Sequence, residues 1–284
     1  MDDSKIFITG ANGQLGTALR AKYPKARYAD INELDITNRD SVAKFNWSSI
    51  ETIINAAAFT NVDGAETPEG RIAAWQVNAT ALAHLSLVAT QHDITLIHIS
   101  SDYVFDGTNE IHTEDEPFSP LSVYGASKAA GDLLTSFASK HYILRTSWVI
   151  GEGKNFVKTM LDVANKNISP TVVSDQIGRL TFTSELVRAI DHLLKNACPY
   201  GTYNVSNGGE SKSWADITRT IFKIIKRGDL AVTDSTTEDY YKGKTVIAPR
   251  PLQSTLNLGK LHSVGFTSRD WDDDLLEYIH KETS

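Results

Sequence analysis

The stretch Ile6-Phe-Ile-Thr-Gly-Ala-Asn-Gly-Gln-Leu-Gly16 decides the fold. The run IFIT at 6–9 reads as a buried strand, and it passes directly into Gly10-Ala-Asn-Gly13-Gln-Leu-Gly16. A helical pattern follows over 15–22 and is closed by Pro24. Glycines at a strand-to-helix turn let backbone N–H groups approach a pyrophosphate, and the helix N-terminus adds positive potential. The spacing is G-x-x-G-x-x-G, not the G-x-G-x-x-G of the dinucleotide fingerprint, so the loop alone also fits a turn without a ligand. Its place immediately after an apolar strand favours a cofactor site made by Gly10, Asn12, Gly13, Gln14, Leu15 and Gly16.

The same alternation continues outward. Strand patterns at 27–31, 52–57, 95–100 and 142–146 are separated by helical patterns at 41–45, 71–92 and 125–139, with Asn78 in the middle of the long one. Such alternation implies right-handed βαβ units, and the continuous apolar strands imply a sheet covered on both faces. The second half is more broken. It carries helical patterns at 155–166, 185–195, 214–226 and 272–280, strands at 171–174 and 201–205, and a polar segment 233–244 that reads as a mobile loop. The expected fold is α/β: a Rossmann-like doubly wound parallel sheet with a smaller α/β C-terminal substrate lobe. The expected division is 1–146 plus about 182–206 for the cofactor domain, and 147–181 plus 207–284 for the lobe. The ligand cleft is expected between them.

At 284 residues the chain is long enough for about two folded units. With 41% hydrophobic and 22% charged residues it has the balance of a soluble globular protein. A net charge of −7 argues against nucleic-acid or anionic-membrane partners, though not against an anionic small substrate in a local field. One cysteine, Cys198, excludes an internal disulfide and reads as a packing residue in a reducing compartment. The start MDDSKIFITG moves straight into a strand, no apolar run approaches a membrane span, and a cytoplasmic location is expected. No metal site is expected, and the acid clusters at 114–116 and 272–274 read as solvated faces.

Asp30 stands at the end of the second strand pattern, where a carboxylate can accept from an adenosine ribose and favour NADH. Asp35 and Ile36 can border the adenine, and no arginine follows that strand to hold a 2′-phosphate. Tyr124-Gly-Ala-Ser-Lys128 places a phenol and an ammonium one turn apart on one helix face. A nearby ammonium favours the phenolate, so the pair is a candidate acid/base, with Lys128 also able to bond a cofactor ribose. Ser101 lies at the carboxyl end of the strand TLIHIS, where its hydroxyl can polarise a substrate carbonyl.

With these residues in place the chain resembles the extended short-chain dehydrogenases/reductases, and within them the branch that reduces 4-keto sugar nucleotides. The resemblance runs through LDIT at 34–37, NAAAFTNVDGAE at 55–66, VNA at 77–79 and SSDYVFDG at 100–107. It continues through PLSVYGASK at 120–128, RTSWVIG at 145–151, NFVKTML at 155–161, DQIG at 175–178 and RPLQSTL at 250–256. It implies reduction of the C4 ketone of dTDP-4-dehydro-L-rhamnose by NADPH or NADH. Tyr124 would donate the proton, Lys128 would tune it, and Ser101, in a place where the family usually has threonine, would hold the carbonyl. Ala56, Ala57 and Ala58 would pass beside the cofactor. Thr60, Val62, Asp63, Tyr103, Trp148, Asn155 and Phe156 would approach the dTDP-sugar, and Arg250, between two prolines, would grip its diphosphate. Leu180 stands where the family commonly has proline. The resemblance also admits Mg2+ and a homodimer. Two other readings share these motifs: a nucleotide-sugar epimerase or dehydratase with tightly held NAD, and a non-catalytic subunit similar to the regulatory subunit of methionine adenosyltransferase.

Overall fold

The computed structural model describes residues 2–283. Its first half runs β1 (Ile6–Thr9), α1 (Gln14–Lys22), β2 (Arg27–Ala29), α2 (Arg39–Lys44), β3 (Thr52–Asn55), α3 (Pro68–Trp75), α4 (Ala81–Gln91), β4 (Thr95–Ser101), α5 (Val123–Thr135) and β5 (His141–Thr146). The second half continues with β6 (Val149–Ile150), α6 (Phe156–Asn165), β7 (Thr171–Val173), β8 (Ile177–Gly178), β9 (Thr181–Phe182), α7 (Thr183–Lys195) and β10 (Gly201–Asn204). It ends with β11 (Lys212–Ser213), α8 (Trp214–Ile224), β12 (Thr233–Ser235), α9 (Thr237–Tyr241), α10 (Gly259–Ser263) and α11 (Trp271–Thr283).

Six strands form one sheet in the order β10-β5-β4-β3-β1-β2, every pair parallel. Strand order reverses between β1 and β3, and the crevice beyond the carboxyl ends of those strands is where open α/β sheets take ligands. Alternate side chains feed two cores. Ile6, Ile8 and Ile54 pack with Leu15, Leu19, Leu186 and Ile190 of α1 and α7. Phe7 and Ile53 face the other way, onto Val42 of α2 and Leu82, Leu85 and Ala89 of α4. Cys198 is buried in the first of these cores. The run 34–37 forms no strand and reaches the second core through Leu34 and Ile36.

A third core builds the smaller lobe from α6, α8 and α11, around Trp271. Leu180 is fully buried there, which explains an apolar residue at that loop position. Three sequence expectations are corrected. The polar segment 233–244 is folded: β12 pairs parallel with β7, and both Asp175 carboxylate oxygens accept from the Thr237 N–H at the start of α9. The acid clusters are partly structural. Glu116 meets the buried His112, and Asp274 is buried, accepting from Asn207. The helical run Pro68–Gln91 is, at 24 residues, long and apolar enough to cross a bilayer by length and composition. Half of that window is buried, with Ala74, Leu82 and Leu85 inside the protein, so it packs as a core helix.

Candidate active site

The run Pro68–Gln91 is not one regular helix. A single π turn at Gln76–Thr80 separates α3 from α4, and such turns cluster at functional sites. It turns the buried Asn78 so that Oδ1 accepts from Phe59 N at 2.9 Å. Asn78 Nδ2 donates to Ser127 Oγ of α5 at 3.0 Å. One side chain thereby ties the loop after β3 to the helix that carries Tyr124 and Lys128. Gly131 permits this closeness: a Cβ there would lie 2.2 Å from the Asn78 carbonyl oxygen.

A cleft of about 850 Å3 opens over the carboxyl ends of β1, β3, β4 and β5. At one end lies the glycine loop. Gly10 has φ +66°, and a Cβ there would meet Ala57 N at 2.5 Å. A Cβ on Gly16 would lie 2.2 Å from the Gly10 carbonyl oxygen, so the turn needs both glycines. Gly13 caps α1 without a side-chain hydrogen bond, leaving the first N–H groups of that helix open to the cleft. Gln14 Oε1 is buried without a partner beside them. A cradle of bare N–H groups fits a dinucleotide pyrophosphate.

Of the residues expected to hold the cofactor, Gly10, Gly13, Gln14, Leu15, Asp30, Asp35, Ile36 and Ala56 to Ala58 line this cleft. Asn12 and Gly16 do not line it. Asn12 N donates to Asp30 Oδ2 at 3.2 Å, and its side chain accepts from Arg20 at 3.0 Å. Arg20, on α1, is thus the cation nearest the Asp30 corner in this bonding chain, and the reading that looked only beyond the second strand missed it. Asp35 is tied to Thr37 by a 2.7 Å hydrogen bond from the threonine hydroxyl.

Ser101, Tyr124 and Lys128 meet at the centre of the cleft. The Ser101 hydroxyl lies within hydrogen-bonding reach of the Tyr124 phenol. It also donates to Asp102 Oδ1 at 3.0 Å. Burial pushes Tyr124 up to about 12, against the lowering expected from its lysine. The phenol is therefore kept protonated, as a proton donor requires. Burial pulls Lys128 down to about 8, and its Nζ donates to the Ile99 carbonyl at 2.6 Å. The ammonium is anchored to β4 and not to the phenol.

Thr60, Val62, Tyr103 and Trp148 line the other end. Tyr103 meets Tyr124 edge to face, ring centroids 5.5 Å apart. Trp148 takes φ +48°, rare for a bulky residue, and its ring is held by stacking on Trp214 at 3.7 Å. A Cβ on Gly178 would sit 3.0 Å from that ring, so the glycine makes its room. Trp214 lines the cleft without having been expected there; its place after the Ser213 cap marks a helix start but not a ligand face.

Four expected substrate residues do not line the cleft. Asn155 caps α6 and donates to the Gly151 carbonyl and to Tyr278 Oη, both at 2.7 Å. Phe156 packs on Trp214 at 4.3 Å. Arg250 and Asp63 bind each other at 2.9 Å. Among the described residues no three His, Cys, Asp or Glu side chains gather to hold an ion, so magnesium finds no ready donor set.

A switch-point cleft with a glycine cradle at one end and a serine, tyrosine and lysine at its centre defines a dinucleotide-dependent oxidoreductase of the extended short-chain type. Comparison with known proteins narrows this. The chain belongs to the family described as RmlD substrate binding domain, whose model matches residues 4–284. It is 38% identical to dTDP-4-dehydrorhamnose reductase of Aggregatibacter actinomycetemcomitans, over 94% of this chain and 96% of that one. It is 36% identical to the spore coat polysaccharide biosynthesis protein SpsK of Bacillus subtilis, over 99% of both chains. Among solved structures, a dTDP-4-dehydrorhamnose reductase of Bacillus anthracis in complex with NADP superposes with a TM-score of 0.88 at 34% identity, covering 98% of each chain.

Proposed function

We propose that this chain reduces the C4 ketone of dTDP-4-dehydro-L-rhamnose to the alcohol, with NADPH or NADH as reductant, in dTDP-L-rhamnose synthesis. The observation that carries the reading is the protonated Tyr124 phenol beside Ser101, one helical turn from a buried lysine and in the same cleft as the glycine cradle. When bound, the reduced nicotinamide supplies a hydride to carbon. Ser101 holds the ketone oxygen as charge develops, Tyr124 gives that oxygen its proton, and Lys128 stabilises the phenolate left behind.

Residues 1–146 with about 182–206 serve as the cofactor domain, and the rest as the sugar-nucleotide lobe. Thr60, Val62, Tyr103 and Trp148 face the sugar, while Asp63 and Arg250 approach the nucleotide as a pair. The similarity of the chain to dTDP-4-dehydrorhamnose reductases along almost its whole length supports the sugar and the base.

A panel of nucleotide 4-ketosugars assayed with both cofactors tests this. Oxidation of NADPH or NADH with the dTDP-linked ketosugar is the expected result. Purified protein that carries stoichiometric, non-exchanging NAD and consumes no added cofactor would instead mark an epimerase or dehydratase.

A further inference from the structure

Thr9, Asn55 and His98 are register neighbours on β1, β3 and β4. They form a polar row across a sheet whose interior positions are otherwise mostly apolar. Their relative exposures are 2%, 0% and 0%. The Asn55 amide lies 2.6 Å from Thr9 Oγ1 and 3.1 Å from His98 Nδ1. His98 Nε2 lies 3.3 Å from Lys128 Nζ. The row therefore ends on the one ammonium the reaction uses. A doubly wound sheet has no need of it, and buried polar groups are costly unless every member is satisfied.

We propose that His98 is a positioning residue for Lys128: its Nε2 accepts one ammonium proton and, with the Ile99 carbonyl, aims the remaining proton into the cleft. The proposal rests on the reductase reading for its consequence in turnover. An ammonium has only donors. With two of its three N–H groups held by β4, one direction is left, toward the ribose and the phenol.

The ring chemistry is consistent with this assignment. Burial and the Lys128 charge hold His98 well below the usual histidine range, so the ring stays neutral and carries one proton. If that proton sat on Nε2, it would face the ammonium, donor against donor. A charged Lys128 therefore requires the proton on Nδ1, pointing at Asn55. The Asn55 amide must then turn its oxygen to the ring and its nitrogen to Thr9, a half-rotation that leaves its shape unchanged. In that orientation Asn55 Oδ1 accepts from the Nδ1 proton and Nδ2 donates to Thr9 Oγ1, so the row satisfies the tautomer that Lys128 imposes. The other titratable groups around Lys128 are Tyr124, which is neutral, and Asp132 on its own helix and, paired with Asp132, Arg145 on β5. Asp132 is committed to Arg145 Nε at 3.0 Å and stands 4.0 Å from His98 Nε2. Among the described residues no carboxylate is bonded to the ammonium in its place.

The test compares His98→Asn with His98→Gln. Glutamine reaches the Nε2 position and keeps the acceptor for Lys128; asparagine reaches only the Nδ1 position and loses it. The Lys128 midpoint is read by NMR of 13Cε-labelled lysine in the cofactor-free protein, with Lys128→Met for assignment. In His98→Asn the midpoint falls by about one pH unit, because the charged form has lost a partner. Turnover with the ketosugar falls roughly tenfold, with its alkaline limb moved the same way. His98→Gln restores both. A His98→Asn protein that folds and keeps the wild-type midpoint overturns the proposal. If His98→Asn does not fold, 15N spectra of the wild-type imidazole decide: Nδ1 protonated and Nε2 bare supports it, and a protonated Nε2 overturns it. If the wild type turns over no 4-ketosugar, the reductase reading fails while the NMR midpoints still judge His98.

Discussion

Arg250 Nη2 donates to Asp63 Oδ2 at 2.9 Å, joining the carboxy-terminal segment to the loop after β3 across 187 positions. Burial alone would raise Asp63, but the Arg250 guanidinium and the Ala248 N–H outweigh it and keep the carboxyl ionised. Tyr241 covers the guanidinium at 4.7 Å. The cation expected to grip a diphosphate is thus already half-neutralised by a second expected ligand. Arg250→Gln should weaken dTDP binding about 10- to 100-fold, because a charge-assisted, two-pronged contact is lost. Asp63→Asn should act in the opposite sense and tighten dTDP several-fold by freeing the guanidinium. Calorimetry with dTDP measures both. Equal weakening in the two variants would make Asp63 a nucleotide ligand in its own right.

Lys128 sets an alkaline limit. Its midpoint near 8 lies below the usual lysine value of 10.5 because burial penalises the charge. The second-order rate constant kcat/KM reports groups of the free enzyme. It should therefore fall about tenfold per pH unit above pH 8 or so, as the ammonium is lost. The stability consequence has the opposite sign. Between the folded and unfolded midpoints the unfolded chain binds more protons, so this group makes the fold more stable as pH rises through that window. Urea unfolding of the wild type and of Lys128→Met at several pH values separates the two effects. A pH profile flat to 10 would show that Lys128 keeps an ordinary midpoint.

The glycine loop and the Tyr124–Lys128 pair were legible because each is local: seven residues of one turn, and one turn of one helix. The parallel sheet followed from the alternation of elements. What escaped reading depends on register and on long closures. His98 and Asn55 each sit in an otherwise apolar strand run, TLIHIS and TIIN, and that oddity was the available signal. Their alignment into a row needed the pairing of three strands. Asn155 looked like a ligand because it opens a helix at the lobe, but the opening itself uses the side chain as a cap. Segment 233–244 looked loose because its partners, Asp175 and β7, lie about sixty residues upstream and only the fold brings them together.

Asp30 should decide between the two cofactors. Its carboxylate accepts from Asn12 N at 3.2 Å and Ile31 N at 2.8 Å, and it lines the cleft together with Gly10 and Gly13. A fixed carboxylate accepts from ribose hydroxyls and repels a 2′-phosphate. Asp30→Ser should shift the ratio of kcat/KM values toward NADPH by about tenfold, with Arg20 close by through Asn12 to meet the added phosphate. In Asp30→Ser with Arg20→Gln most of that shift should disappear. A ratio unmoved by Asp30→Ser would mean that the ribose is read elsewhere.

Asp102 should trade stability for function. It is 2% exposed, accepts from the Ser101 hydroxyl, and leaves Oδ2 without a partner. Burial raises it from 3.8 to about 6. The folded chain therefore binds an extra proton between about pH 4 and 6, so this group's contribution favours the fold at low pH and declines as pH rises through that window. Above it, the buried carboxylate costs roughly 2–3 kcal/mol. Asp102→Asn removes that cost while keeping an acceptor for Ser101. Its Tm at pH 7.5 should rise by about 4–8 °C, and its stability should change less between pH 4 and 6. Turnover should fall, because the charge-assisted hydrogen bond that orients the Ser101 hydroxyl becomes a neutral one. Calorimetric scans across that pH range, beside ketosugar turnover, measure both, and a variant no more stable than the wild type at pH 7.5 would show that Asp102 is solvated or paired when ionised.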